Sequence, residues 1–329
     1  MKEMIPYIKY HDTDNRVFIE LKKLATKITG EENVQGETIE DVLKVITTTL
    51  TGIEDIEGQT NTEILGILAE NYNSHSGGGN NDFKRYIEDR TSFNISSLPE
   101  GLTSIGESAF EGCVNLALTE LPETVTSIGE SAFAYCVNLA LTELPETVTS
   151  IGESAFEGCT NLKSIKIPSG ITKIEDTVFM DCVNLETIEL PEGLTSIGYY
   201  SFRKCEKLSL TELPESVTVL DEFAFALCSN VALTKLPSNL TVIEECALSG
   251  TNLISIEIPE SVTKIGNMAF SSCPNLNTVT FKGTPQDMRY DIFNKCSNLT
   301  TINVPWAEGE VYVSWGTTSA TINYNYTGE

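Results

Sequence analysis

The sequence predicts an α/β solenoid: stacked short coils, each one parallel strand plus one helical or 3₁₀ turn, with a small N-terminal helical domain and a C-terminal β cap. Three observations carry this. A phrase of the form Leu-Pro-Glu-x-Leu/Val-Thr-x-Ile-Gly-x-x-Ala-Phe-x-x-Cys-x-Asn-Leu recurs along the chain, marked by Pro99, Pro122, Pro145, Pro168, Pro191, Pro214, Pro237 and Pro259. Successive prolines lie 23 residues apart, except the last pair, which are 22 apart. The same apolar residue types return at the same place in each unit. A fixed period of this length means units that bury their apolar faces against their neighbours.

Residues 1–72 do not repeat, and three helices can be read in them. The first spans about 14–29, with Phe18, Leu21, Leu24, Ala25 and Ile28 on one stripe. The second starts at Thr38 with Asp41 as its capping partner, and the third at Thr60 with Glu63. Three short helices make a small core, so this piece is read as an attachment or oligomerisation module; a marginal bundle that folds alone is the other reading. Residues 73–82, rich in Gly, Ser and Asn, form a linker by composition. Residues 83–97, with Phe83, Tyr86 and Ile87 at helical spacing, are placed as an N-terminal cap over the open end of the stack.

The array runs over 98–304. Within one unit, Leu162, Ile165 and Ile167 alternate as a strand that Pro168 ends, and Val178, Phe179 and Cys182 sit at the spacing of a helical turn. Two kinds of strand segment are present. Units starting at Leu162, Leu185, Leu253, Leu276 and Leu299 read Leu-x-x-Ile/Val-x-apolar. Units starting at Leu116, Leu139, Leu208 and Val231 read Leu/Val-x-Leu-Thr-Glu/Lys-Leu-Pro, which moves the middle apolar residue one place earlier. A one-residue shift exchanges the faces of a strand, so these units are expected to carry a bulge or altered twist. The unit at 236–253 is one residue short, has Leu248 for phenylalanine and lacks the usual cysteine, and is expected to be the weakest. Residues 305–329 hold alternating β-formers around Gly316 and are read as a terminal β cap, a hairpin closing the sheet edge.

The run 98–116, Leu-Pro-Glu-Gly-Leu-Thr-Ser-Ile-Gly-Glu-Ser-Ala-Phe-Glu-Gly-Cys-Val-Asn-Leu, resembles the 23-residue leucine-rich repeat of BspA-like bacterial surface antigens. The likeness covers 98–304 and recurs through it. It implies a right-handed leucine-rich-repeat solenoid with no catalytic residues to carry over. It also implies a surface role in binding host or matrix proteins and other bacteria.

The formal charge of −26, from 47 acidic and 21 basic residues, disfavours nucleic acid and anionic membrane surfaces as partners. No apolar run reaches the roughly 20 residues of a membrane span, and the first ten residues do not read as a secretory signal. The chain is therefore read either as made in the cytoplasm and released with a virion, or as a surface protein whose leader is missing here. Acidic residues form two columns, one after the prolines (Glu123, Glu146, Glu192, Glu215) and one after the Ile-Gly positions (Glu107, Glu130, Glu153). They read as a solvated rim in preference to a calcium site, and the melting temperature is expected to rise with sodium chloride. Calcium at equal ionic strength acting far more strongly would reverse that reading.

Eight of the nine cysteines occupy one repeat position, without Cys-x-x-Cys spacing, and are expected to be buried thiols; no metal and no cofactor are expected. Asn138, Asn161 and Asn184 belong to a structural amide ladder, and Thr126, Thr149 and Thr195 to a similar hydroxyl column. The two histidines, His11 and His75, lie outside the array and leave no triad to assemble, so no enzyme is expected. The expected function is a non-enzymatic protein-recognition or adhesion scaffold. Its contact face would use strand residues that change between units: Lys163, Lys166, Glu186, Glu189, Glu257, Asn277, Thr280 and Asn303. The alternative is a structural, tail-associated component of a prophage, attached through its helical head.

Overall fold

The computed structural model describes residues 97–98, 101–311, 314–316 and 319–327. The expectations for 1–72, 73–82 and 83–97 lie outside these residues, apart from residue 97. Among the described residues there are fifteen short strands, numbered along the chain, and no helix. No helix there is long and apolar enough to cross a membrane.

The strands form two ladders. The short ladder comes from the Thr-x-Ile-Gly segment: β1 (Ser104–Ile105), β2 (Ser127–Ile128), β3 (Ser150–Ile151), β5 (Lys173–Ile174), β7 (Ser196–Ile197), β8 (Val219–Leu220), β9 (Val242–Ile243), β11 (Lys264–Ile265) and β13 (Asp287–Met288). The long ladder comes from the segment before the proline: β4 (Ser164–Lys166), β6 (Thr187–Glu189), β10 (Ser255–Ile258), β12 (Thr278–Phe281), β14 (Thr301–Asn303) and β15 (Thr321–Asn323). All pairings are parallel, the short ladder is broken between β3 and β5, and equivalent residues face each other, as Ile105 faces Ile128 and Ile165 faces Ile188. The repeat sets this register, because slippage by one residue would turn the buried isoleucines to solvent.

The core is a set of columns. Phe110, Phe133, Phe156, Phe179, Phe202 and Phe225 are fully buried. Their rings stack with centroids 5.1–5.5 Å apart and planes within 12° of parallel. Leu248 interrupts the column, which resumes with Phe270 and Phe293. In the shortened coil Thr251 takes the cysteine's place, and its hydroxyl donates to the Leu248 carbonyl at 2.8 Å. That coil thus bonds its Thr251 hydroxyl within itself, where the cysteines reach the preceding coil, and loses the ring.

The expected helical turn is corrected. Ser108, Ser131, Ser154, Thr177, Tyr200, Phe223, Cys246, Met268 and Asp291 all have φ between 52° and 60°. Four residues further on, Gly112, Tyr135, Gly158, Asp181, Lys204, Leu227, Gly250, Ser272 and Lys295 have φ between 56° and 73°. Two left-handed residues per coil are incompatible with the continuous right-handed backbone that an i→i−4 ladder needs. Hydrogen bonds instead alternate in direction. The N–H groups of Ser108, Phe110 and Gly112 reach the carbonyls of Glu130, Ala132 and Ala134 in the next coil, each at 2.7 Å. Those of Ala109, Glu111 and Cys113 close turns onto residues three back. Helical spacing of Val178, Phe179 and Cys182 thus reflects inward pointing from a chain of turns. Lys295, exposed at φ 60°, offers a test. Lys295→Gly is expected to stabilise the C-terminal coils by about 0.5–1 kcal/mol, the left-handed cost relieved less glycine's entropy. Thermal denaturation checks this, and a lower melting temperature would contradict it.

The two strand classes behave differently. The coils beginning at Leu116, Leu139, Leu208 and Val231 contribute no long-ladder strand. Their middle leucines, Leu118, Leu141 and Leu233, are buried instead of facing outward, and Leu210 is half-buried. The long ladder is therefore split into β4–β6 and β10–β12–β14–β15.

The terminal hairpin is also corrected. β15 lies parallel to β14, with Ile302 facing Ile322. Phe293 N–H bonds the Trp315 carbonyl at 2.8 Å, and Trp315 stacks on Phe293 at 5.9 Å in the phenylalanine column. The chain makes one more turn of the same kind because Trp315 and Ile322 fall where the column needs apolar residues.

Candidate functional site

Stacking uses up most of each repeat. The thiols of Cys136, Cys159, Cys182, Cys205 and Cys228 donate to phenylalanine carbonyls one coil back, at 2.8–3.1 Å. All nine cysteines are buried and free, and burial pushes the Cys159 and Cys182 thiols well up. The Asn138 and Asn184 amides donate to the Val114 and Thr160 carbonyls at 2.8 and 2.7 Å. Thr126, Thr195 and Thr241 hydroxyls donate to the threonine carbonyl of the preceding coil, at 2.8–3.0 Å. These columns are committed to joining one coil to the next.

The outward side of the long ladder is different. Lys166 faces Glu189, Glu257 faces Thr280, Thr280 faces Asn303 and Asn303 faces Asn323. A bridge extends this row to Glu143, and the repeat spacing places Glu212 and Lys235 in it. Lys163, Glu186 and Asn277 follow the core leucines and are exposed at the row's edge. Thr280 and Asn303 do not join this surface. They are only 9% and 6% exposed, and the Asn303 amide donates to the Thr280 hydroxyl at 3.0 Å. Asn323, itself exposed, in turn donates to Asn303 Oδ1 at 2.8 Å, so the C-terminal end of the row is a polar ladder bonded within itself.

Two lysines of the row are already engaged. Lys166 Nζ lies 2.8 Å from Glu146, which also accepts the Ser169 N–H and hydroxyl, both at 3.1 Å. Lys235 Nζ lies 3.2 Å from Glu215, which accepts the Ser238 N–H and hydroxyl at 2.8 and 2.9 Å. One code operates twice: a glutamate after proline, a lysine 20 residues on and a serine 23 on. Lys166 first, then the Ser169 donors, hold the Glu146 carboxyl down at about 2 against an ordinary 4.5. A depressed carboxylate favours the folded state above the unfolded value and loses that contribution on acidification. Glu146→Gln is therefore expected to flatten the acid limb of the stability curve between pH 4.5 and 2. Denaturant titrations across that window check it; an unchanged slope would contradict it.

A groove of about 240 Å³ opens between β6 and the coil at 208–213. Ile188, Leu190, Leu210, Leu213 and Pro214 line it with apolar surface, and Glu192, Glu212, Glu215 and Lys235 line it with charge. Glu192 and Glu215 belong to an acidic column visible in the sequence. Glu212 and Lys235 escape a reading based on strand residues alone, because their segment forms no strand; only the 20-residue spacing points to them. Among the described residues no three His, Cys, Asp or Glu converge closely enough to hold a metal ion.

The model of the BspA-type leucine-rich-repeat region matches residues 83–209 and 195–311, more than half of the chain. The chain belongs to the BspA-type leucine-rich-repeat family. Among solved structures, a leucine-rich-repeat protein of T. pallidum is 26% identical, with 63% of this chain and 76% of that one covered and a TM-score of 0.40. One from Eubacterium ventriosum is 25% identical, with coverage of 67% and 68% and a TM-score of 0.44. A leucine-rich cell surface protein of Faecalibacterium prausnitzii is 22% identical, with coverage of 71% and 88% and a TM-score of 0.36. No curated protein matches the chain. The BspA-type repeat accounts for the columns and leaves the long-ladder row as the variable part.

Proposed function

We propose that this BspA-type chain is a non-enzymatic recognition scaffold whose contact face is the outward side of the long ladder. One observation carries the reading: outward residues change in charge from coil to coil there, while the columns around them are committed to stacking. The row Glu143, Lys166, Glu189, Glu212, Lys235, Glu257 changes sign at every step except from Glu189 to Glu212, on a chain of net charge −26. Such a pattern can discriminate between partners, since like charges set opposite each other weaken a wrong complex. The partner is a protein, met at a cell surface or within an assembly. Capture from candidate extracts with the whole chain tests this. Joint substitution of Lys163, Glu186, Glu189 and Glu257 by alanine is expected to abolish capture, while deletion of residues 1–82 leaves it intact. Loss on the deletion, with the substituted face still active, would favour the tail-associated assembly role instead.

A further inference from the structure

We infer that the groove between β6 and the coil at 208–213 binds an extended basic peptide segment, by main-chain pairing along β6 and by its carboxylates. The inference rests on the recognition reading above and names the chemistry of the partner.

The groove has a structural cause. It lies where a strand-forming unit is followed by one of the shifted Leu-Thr-Glu-Leu-Pro type, the one such junction among the described residues. In a parallel strand alternate residues turn their N–H and C=O groups to opposite sides. Thr187 and Glu189 bond back to Lys163 and Ile167, so the main chain of Ile188 and Leu190 faces the following coil. The displaced middle leucine leaves that coil without a matching strand. Along 186–190 only the Glu186 carbonyl, which accepts the Ser209 N–H at 2.9 Å, is bonded to the following coil, and no backbone hydrogen bond joins Ile188 or Leu190 to 210–213. At the opposite kind of junction, Leu144 and Lys166 N–H groups do cross, at 3.1 and 3.0 Å. Open strand edges of this kind accept an added extended segment.

The charge in the groove is also unmet. By the code that pairs Glu146 with Lys166 and Ser169, Glu192 should find a lysine 20 residues on and a serine 23 on. It finds Glu212 and Glu215. No side-chain bond among the described residues engages the carboxylate of Glu192 or Glu212, and Lys235 is held by Glu215. Among the described residues no three carboxylates converge to hold a metal ion, and Glu192 and Glu212 suit cationic side chains spaced along a peptide. The aliphatic floor then takes the alternate side chains, which point the other way from an extended backbone.

The test is fluorescence anisotropy of the full chain with a labelled hexapeptide alternating lysine and valine, its glutamate counterpart and its backbone N-methylated form. The lysine peptide is expected to bind saturably and more weakly with salt, and the other two to fail. Glu192→Gln with Glu212→Gln is expected to weaken binding about tenfold, the loss typical of removing charge partners. Glu222→Gln with Glu245→Gln, which follow β8 and β9 and do not line the groove, is expected to change it less than about twofold. Equal loss in both double variants, undiminished binding of the N-methylated peptide, or no saturable binding would each overturn the inference. If the lysine peptide fails while the alanine-substituted face still loses its captured partner, the groove falls and the recognition reading stands.

Discussion

Phe179→Ala is expected to destabilise the solenoid by about 3–5 kcal/mol, the cost of emptying a buried phenylalanine site. Phe179 is fully buried and lies between two rings, 5.5 Å from Phe156 and 5.4 Å from Phe202, with planes within 10° of each. Alanine removes both stacking partners and leaves a void bounded by two coils that the backbone bonds hold in place. The Phe179 N–H to Ser201 and Phe156 N–H to Val178 bonds, 2.8 and 3.0 Å, keep the coils from closing on it. Because each coil touches only its neighbours, the loss is local, and the array is expected to unfold in two steps divided near this coil. Equilibrium denaturation followed by circular dichroism checks both the shift and the added step. Leu248 shows that an aliphatic residue can fill the column, so Phe179→Leu should cost clearly less. A loss below about 1 kcal/mol for alanine would mean that the ring column is not where the stability resides.

The phenylalanine column shows what was legible from residues alone. A 23-residue period fixes which side chains stack, whatever path the backbone takes between them. Leucine, isoleucine, phenylalanine, cysteine, asparagine and threonine could therefore be placed in columns without any knowledge of dihedral angles. The path itself was not legible. Inward residues such as Val178 and Phe179 have the spacing of a helix, and a chain of turns with alternate left-handed residues brings the same residues inward. Serine at Ser108, Ser131 and Ser154, and Tyr200 and Phe223 at the same place, are not the glycine, asparagine or aspartate that would signal a left-handed residue. The final coil was misread for a related reason. Its 20-residue spacing from Asn303 to Asn323 breaks the period, while its apolar residues still land in the columns. The groove was the least legible feature. It belongs to neither unit type but to the junction between them, and only the ladder shows which bonds that junction leaves unmade.

The second large effect separates the two backbone paths directly. Ser131→Pro is expected to cost about 3 kcal/mol or more, because proline fixes φ near −65° and removes an N–H. Ser131 has φ 54°, and its N–H bonds the Glu153 carbonyl of the next coil at 2.8 Å. Both requirements fail at once, and the lost bond joins two coils. Had the segment been a helical turn, residue 131 would sit near its start, where proline is well tolerated. Ser131→Gly supplies the opposite sign. Glycine enters the left-handed region without steric cost and keeps the N–H, so its stability should stay within about 1 kcal/mol of the parent. A proline variant as stable as the parent would restore the helical reading. A proline variant that melts far lower, beside an unharmed glycine variant, leaves the left-handed ladder as the explanation for the turn.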